Sequence, residues 1–307
     1  MKLPLRGIIP PMVTPLLENM ELDVVGLKKL IEHLLQGGVH GLFLLGTNGE
    51  GPSLSYAMRK QVIAETCKIV SHRVPILVSI TDSSIDAALE IAAYAKDCGA
   101  DAVVVAPPFY FPISQQEMMD YLEVLVPKLA LPFLVYDMPS CTKLHLSIKT
   151  IKRAKELGAI GVKDSSGDMT NFYQIIQEFK DSPNFSIITG AEIFLSDTIL
   201  NGGHGAVAGG ANIFPRLFVD LYEASVAQDL ERIKPLRQSI VKMHSTLYNL
   251  GGTSTKSIRA IKCALDIMDI CADHMAQPLK RYDEKNQEII REYLGQFEYK
   301  GYYKALH

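Results

Sequence analysis

Short apolar runs alternate along this chain with longer stretches in which apolar residues return every three or four positions. The first run, GIIPPMV from Gly7 to Val13, precedes helical spacing from Val24 to Gln36 that stops at Gly37-Gly38. GLFLLG precedes a helical pattern from Tyr56 to Ser71, PILVSI one from about Ser83 to Cys98, and DAVVVA one from Ser114 to Leu129. PFLVY then precedes Ser147 to Leu157, AIGVK precedes Met169 to Phe179, FSIITG precedes Phe194 to Leu200, and GAVAGG precedes Pro215 to Ala227. Strands that are apolar on both faces fit a parallel sheet covered by helices. Eight such alternations within about 225 residues predict an α/β fold closed as a (β/α)8 TIM barrel rather than an open, doubly wound sheet. The glycine fingerprint of the open sheet is missing, since PPMVTP stands after the first run.

From about Leu230 the strand-like runs stop. Arg232 to Leu250, Ser254 to Met268 and Glu284 to Phe297 carry helical spacing, with a break at Gly251-Gly252. The pattern predicts a barrel catalytic domain over residues 1–228 and a C-terminal helical domain over 229–307, with no linker-like stretch between them.

Composition narrows the class. With 307 residues and 48% hydrophobic content the chain can bury a large core. Net charge is −3, and no block of Lys or Arg is long enough to attract nucleic acid or an anionic membrane surface. Lys28-Lys29 sits within a helical pattern and reads as a solvated face. No apolar run approaches the ~18 residues of a membrane span. MKLPLRGIIPPMVTP lacks the apolar core of a secretion signal. Cys67, Cys98, Cys141, Cys263 and Cys271 are scattered, with no C-x-x-C pair, and read as reduced thiols. These features point to a cytoplasmic protein. The eight histidines form no metal-binding pair, and His204, between two glycines, reads as structural.

In such a barrel the chemistry sits where strands end at the C-terminal face. Strand two ends in GTNGEGPSLS, strand four in PPFYFP, strand five in Tyr136 and strand six in Lys163. Strand seven ends in Gly190-Ala191-Glu192 and strand eight in GAVAGGAN. A lysine ringed by apolar strands is desolvated, which disfavours its charged form. Lowering it from about 10.4 to about 7–8 requires roughly 3–5 kcal/mol of differential solvation, at about 1.36 kcal/mol per unit. The neutral amine can attack a ketone, and the protonated imine that follows is an electron sink. Tyr136, one strand over, can relay protons, with Tyr110 and Thr47 as partners. The turn Gly46-Thr47-Asn48-Gly49 can offer backbone N–H groups to a carboxylate, its glycines taking unusual dihedrals. Glu50 reads as a loop brace, and Asp164 and Asp168 as caps of the next helix. A lysine at a strand end also fits a solvent-facing cap, and Tyr136 a core residue with a satisfied hydroxyl; the residues alone leave both open.

Taken in order, GTNGE (Gly46–Glu50), YDMP (Tyr136–Pro139), VKDSSGD (Val162–Asp168) and GGHGAVAGGAN (Gly202–Asn212) carry a resemblance. The chain resembles the dihydrodipicolinate synthase / N-acetylneuraminate lyase family of Schiff-base pyruvate aldolases, from about Gly7 to about Leu294. The resemblance implies a homotetrameric (β/α)8 barrel with a C-terminal helical extension, and no cofactor beyond the covalent lysine. It implies that Lys163 forms the Schiff base and that Tyr136 is the acid/base. It places Thr47 and Asn48 at the 2-oxo-acid carboxylate and Tyr110 in a relay crossing from a neighbouring subunit. Val207 would border the pyruvyl group, and Gly190 counts among the substrate-binding residues.

Three departures bear on the second substrate. Asn48 replaces a hydroxyl residue in the carboxylate turn, and Asp137 stands where many members have asparagine. Cys141 stands where dihydrodipicolinate synthases place an arginine for the aldehyde's carboxylate, so a bidentate cation is replaced by a small thiol. Gly209 and Gly210 would leave room for a larger acceptor, and Glu192 falls near where sialic acid lyases hold sugar hydroxyls. The expected function is a lyase that cleaves or condenses pyruvate with an aldehyde, of sugar-acid type. Alternatives are 4-hydroxy-tetrahydrodipicolinate synthase, a 2-oxo-3-deoxy sugar acid dehydratase, a phosphate-sugar enzyme using the strand-eight glycines, and a ligand-binding regulator on an inactive scaffold.

Overall fold

A computed structural model of the chain describes residues 1–252 and 255–297. Eight parallel strands run in the order β1-β8-β7-β6-β5-β4-β3-β2. They are β1 Gly7–Ile8, β2 Leu42–Leu44, β3 Ile76–Ser79, β4 Ala102–Val105, β5 Phe133–Asp137, β6 Gly161–Asp164, β7 Ser186–Thr189 and β8 Gly205–Ala206. The ring closes between β1 and β2 through the segment after β1: Pro11 bridges Phe43, and the Met12 N–H donates to the Phe43 carbonyl. GIIPPMV is therefore a two-residue strand with an irregular extension, because its prolines cannot donate to a ladder.

The strands carry two periods of packing. Phe43, Leu77, Val104, Leu134, Tyr136, Ile188 and Val207 meet inside the barrel. Their chain neighbours Leu42, Val78, Val103, Val135, Val162 and Ile187 face out, beneath the helices. Lys163 follows the outward Val162 and is in register with Tyr136 and Ile188, so it shares the inward parity. A slip of one residue in β6 would turn the lysine out under the helices, and the buried faces fix the register against it.

The covering helices are α1 Val24–Gln36, α2 Tyr56–Val70, α3 Ile85–Asp97, α4 Gln115–Leu125, α5 Pro139–Thr142, α6 Ile148–Glu156, α7 Met169–Phe179, α8 Leu195–Leu200 and α9 Pro215–Val226. Local chemistry sets their starts. Asp23 caps α1, and Ser114 and Glu117 form a reciprocal capping box on α4. Asp168 caps α7 as expected. Asp164 does not: it belongs to β6, and its Oδ1 accepts from the Ser166 N–H and hydroxyl. Strand five likewise runs past Tyr136 to Asp137, and strand six past Lys163 to Asp164.

Three more helices follow: α10 Leu230–Ser245, α11 Lys256–Ile267 and α12 Glu284–Gly295. They match the helical spacing read after Leu230; Ser254 and residues 298–307 lie outside the described residues. Among the described residues no helix is long and apolar enough to cross a membrane.

Candidate active site

Lys163 is 5% exposed. Its Nζ lies 3.4 Å from the centre of the Tyr136 ring and 5.2 Å from that of Phe43. Burial pulls its pKa below the ordinary lysine value, against the opposing pulls of Tyr136, Asp164 and Cys141. A cation over an aromatic face gains about 2 kcal/mol or more when desolvated, whereas full burial can shift a lysine by up to about 3–5 units, roughly 4–7 kcal/mol. Desolvation wins, and the amine loses its proton more readily than a surface lysine. Tyr136 is 5% exposed, stands edge-on to Phe43, and its hydroxyl lies 3.5 Å from Thr47 Oγ1.

A cavity of about 280 Å³ opens over the lysine. Thr47, Asn48, Gly190, Glu192 and Val207 all border it. Cys141 borders a neighbouring cavity of about 370 Å³, which shares Thr47, Tyr136, Met138 and Ile258 with the first. Among the described residues neither cavity is lined by an arginine, and Lys163 is their one lysine. Tyr110 is elsewhere: it is 72% exposed, stacks edge-on against Phe111, and borders neither cavity.

The carboxylate turn departs from expectation in how it uses glycine. The positive-φ residues are Leu45 and Glu50, at +58° and +55°, not Gly46 or Gly49. Gly46 is small because a Cβ there would sit 2.5 Å from the Phe43 ring. Among the described residues the Thr47 and Asn48 backbone N–H groups donate to nothing in the chain. Gly210 also differs from the expectation. A Cβ there would strike Met243 of α10 at 2.4 Å, so this glycine lets α10 pack closely and opens no pocket space. Gly209 does border the cavity.

Glu50 is the brace that the sequence suggests. Its Oε1 meets Lys262 Nζ of α11 at 2.5 Å, its Oε2 accepts from the Ala276 N–H, and both side chains of the ion pair are fully buried. The pair ties the turn after β2 to the C-terminal helices. Glu50→Ala leaves a buried ammonium without its carboxylate, and we expect a loss of about 3–5 kcal/mol. Thermal melting checks this: the double variant Glu50→Gln/Lys262→Met should recover more than half of the loss in melting temperature, and no recovery would mean the charges do not act as a pair.

Behind the reactive pair, Asp137 and Asp164 are register partners. Asp137 is fully buried, accepts from the Leu146 N–H, and meets His145 Nδ1 at 2.5 Å. Burial raises its pKa from 3.8 to about 6. Between those values the folded chain holds a proton on Asp137 that the unfolded chain releases. That stabilisation is complete below the ordinary value and is lost as pH rises through about 6. The parent should therefore lose melting temperature relative to Asp137→Asn between about pH 4 and about pH 7, and a difference constant with pH would contradict the assignment.

The C-terminal helices supply site residues that the sequence reading left as an appendage. His244 of α10, Tyr248 just beyond it, and Ser257 and Ile258 of α11 line the cavity over Lys163. No periodic signal marked them, since α10 ends at Ser245 and Tyr248 lies in the turn that follows.

Comparison with known proteins places this geometry. The model of the dihydrodipicolinate synthetase family matches residues 4–297. A 4-hydroxy-tetrahydrodipicolinate synthase of Methanopyrus kandleri is 31% identical over 94% of each chain. A probable 2-dehydro-3-deoxy-D-pentonate aldolase of Escherichia coli K12 is 31% identical over 77% of this chain and 80% of its own. The solved structure of a dihydrodipicolinate synthase from Bacteroides thetaiotaomicron superposes with a TM-score of 0.94 at 44% identity, covering 97% of this chain and all of the other. With the lysine-floored barrel and these matches together, the chain belongs to the dihydrodipicolinate synthetase family, whose enzymes act on pyruvate through a lysine Schiff base and need no external cofactor.

Proposed function

We propose that Lys163 is the Schiff-base lysine and that the enzyme joins pyruvate to, or releases it from, a hydroxylated aldehyde of sugar-acid type. The observation that carries this reading is the buried amine, held over the Tyr136 ring at the floor of a cavity whose walls, among the described residues, offer no guanidinium. The free Thr47 and Asn48 N–H groups would hold the pyruvate carboxylate. Val207 and Gly190 flank the space for the pyruvyl group. The neutral amine attacks C2, and the carbinolamine loses water to give a protonated imine. Loss of a methyl proton gives an enamine, whose carbon attacks the aldehyde; cleavage is the reverse. Tyr136 moves these protons, with Thr47 next in the relay. Tyr110, whose ring is exposed in the single chain, would complete the relay in a neighbouring subunit of a homotetramer.

A second reading has specific support in the names of the relatives. Condensation of pyruvate with aspartate semialdehyde, the 4-hydroxy-tetrahydrodipicolinate synthase reaction, is the activity named for the Methanopyrus relative. Against it stands Cys141 at the arginine position, in a cavity that no lysine or arginine lines among the described residues. Steady-state rates separate the two. The proposal expects kcat/KM for glyceraldehyde to exceed that for aspartate semialdehyde by about tenfold or more, the worth of one unpaired buried carboxylate. The reverse order assigns the synthase reaction. Recovery of a dehydrated 2-oxo acid from a sugar-acid substrate would instead identify a dehydratase on the same lysine.

A further inference from the structure

Asp164 follows Lys163 on β6, and the lysine chemistry set out above makes no use of it. It is 3% exposed. Its Oδ1 accepts from the Ser166 N–H at 2.8 Å and from the Ser166 hydroxyl at 2.7 Å. Its Oδ2 is buried and completes no hydrogen bond among the described residues. Buried polar atoms are normally paired, so a bare carboxylate oxygen calls for an explanation. Its register partner on β5, Asp137, is fully buried. Two neighbouring carboxylates do not both ionise freely. Burial, and then the Asp164 charge, raise the Asp137 pKa to about 6, so Asp137 takes the first proton and Asp164 stays the anion. Burial raises Asp164 as well, but Ser166 and then His145, before α6, pull it back, against Asp168 at the start of α7. The Asp164 charge reaches the Lys163 amine and favours its cationic form, as do Tyr136 and, from α5, Cys141.

We propose that Asp164 is the counter-charge of the protonated imine on Lys163, its carboxylate oxygen left bare so that its field acts on the cation that the reaction creates. This rests on the Schiff-base reading above. A neutral amine, a ketone and one proton give an iminium and water, so an uncharged group becomes a cation at a site 5% exposed. A buried cation is costly unless an opposite charge stands near it. A neutral residue at 164 would leave the iminium uncompensated. A carboxylate with donors on both oxygens would have its charge offset by them before the cation formed. Asp164 lies on the opposite face of β6 from the inward Lys163 and acts through it, which makes it a positioning residue.

The test is borohydride trapping of pyruvate, followed against pH and pyruvate concentration. Asp164→Asn keeps an acceptor for Ser166 and removes the charge. One charge favours both the free ammonium and the iminium, so two shifts are linked. The acid limb of the trapping rate should move about one pH unit lower, and above that limb half-maximal trapping should need about tenfold more pyruvate. Asp137→Asn removes a neighbouring carboxylate but leaves Asp164 charged, and should change half-maximal trapping by less than about twofold. Asp164→Ser should show the same pair of shifts and serves if the Asn variant does not fold. Weaker trapping with the acid limb unmoved is structural damage, and it overturns the counter-charge, as does the absence of both shifts. A trapped parent whose profile ignores Asp164→Asn sinks the counter-charge alone, and an untrapped parent sinks the Schiff-base reading with it.

Discussion

Lys163→Ala lowers turnover by about 10⁴-fold or more, while the protein melts within a few degrees of the parent. Removing the nucleophile of a covalent mechanism removes the path itself, and losses of roughly 10⁴–10⁶ are usual for such groups. The fold is expected to survive because the change takes away a polar group that pays a desolvation penalty, and leaves no charge behind. Lys163→Arg should fail equally. A guanidinium keeps its proton at any working pH and cannot attack a carbonyl. Steady-state assays with pyruvate and an accepted aldehyde check both variants. Retention of even about a tenth of the parent rate in Lys163→Ala would assign the chemistry to another group.

Tyr136→Phe is the second large effect, at about 10²–10⁴-fold in kcat, the usual worth of a positioned proton-transfer group. The ring that packs on Phe43 and the lysine is kept, so the loss is confined to the hydroxyl. The two variants differ in a way that assigns roles. Tyr136→Phe retains the amine and should still be reduced onto pyruvate by borohydride, though slowly. Lys163→Ala should not react at all. If Tyr136→Phe lowered kcat by less than about threefold, the relay would have to run through another hydroxyl.

Much of this is legible in the sequence because the barrel obeys two simple periods. Helical spacing marks the covering elements within a residue or two at most ends; Met169 to Phe179 coincides with α7. Continuous apolar runs mark the strands, and the parity of Lys163 with Tyr136 follows once their register is known. Charge misleads at the strand ends. Asp137 and Asp164 look like the start of a loop, yet each continues its strand: His145 and the Leu146 N–H hold the two Asp137 oxygens, and Ser166 holds Oδ1 of Asp164, behind the site. No local pattern reports those partners.

The glycines show the same limit. In Gly46-Thr47-Asn48-Gly49 the spacing suggests dihedral freedom, whereas the structure uses Gly46 to admit the Phe43 ring and puts the positive φ on Leu45 and Glu50. Gly210 makes room for a helix and not for a substrate. Close approach between distant segments leaves no periodic mark. The contributions of His244 and Lys262 escape for that reason too: they come from helices 52 and 212 residues along the chain from the partners that they meet, Glu192 and Glu50.

The central claim is that the Lys163 amine bonds covalently to pyruvate, and intact-protein mass spectrometry after incubation with pyruvate and sodium borohydride tests it directly. The account predicts a single adduct of one reduced pyruvyl group, mapped by peptide digestion to Lys163 and absent from Lys163→Ala. An unmodified parent protein, or an adduct that persists in Lys163→Ala, would contradict it.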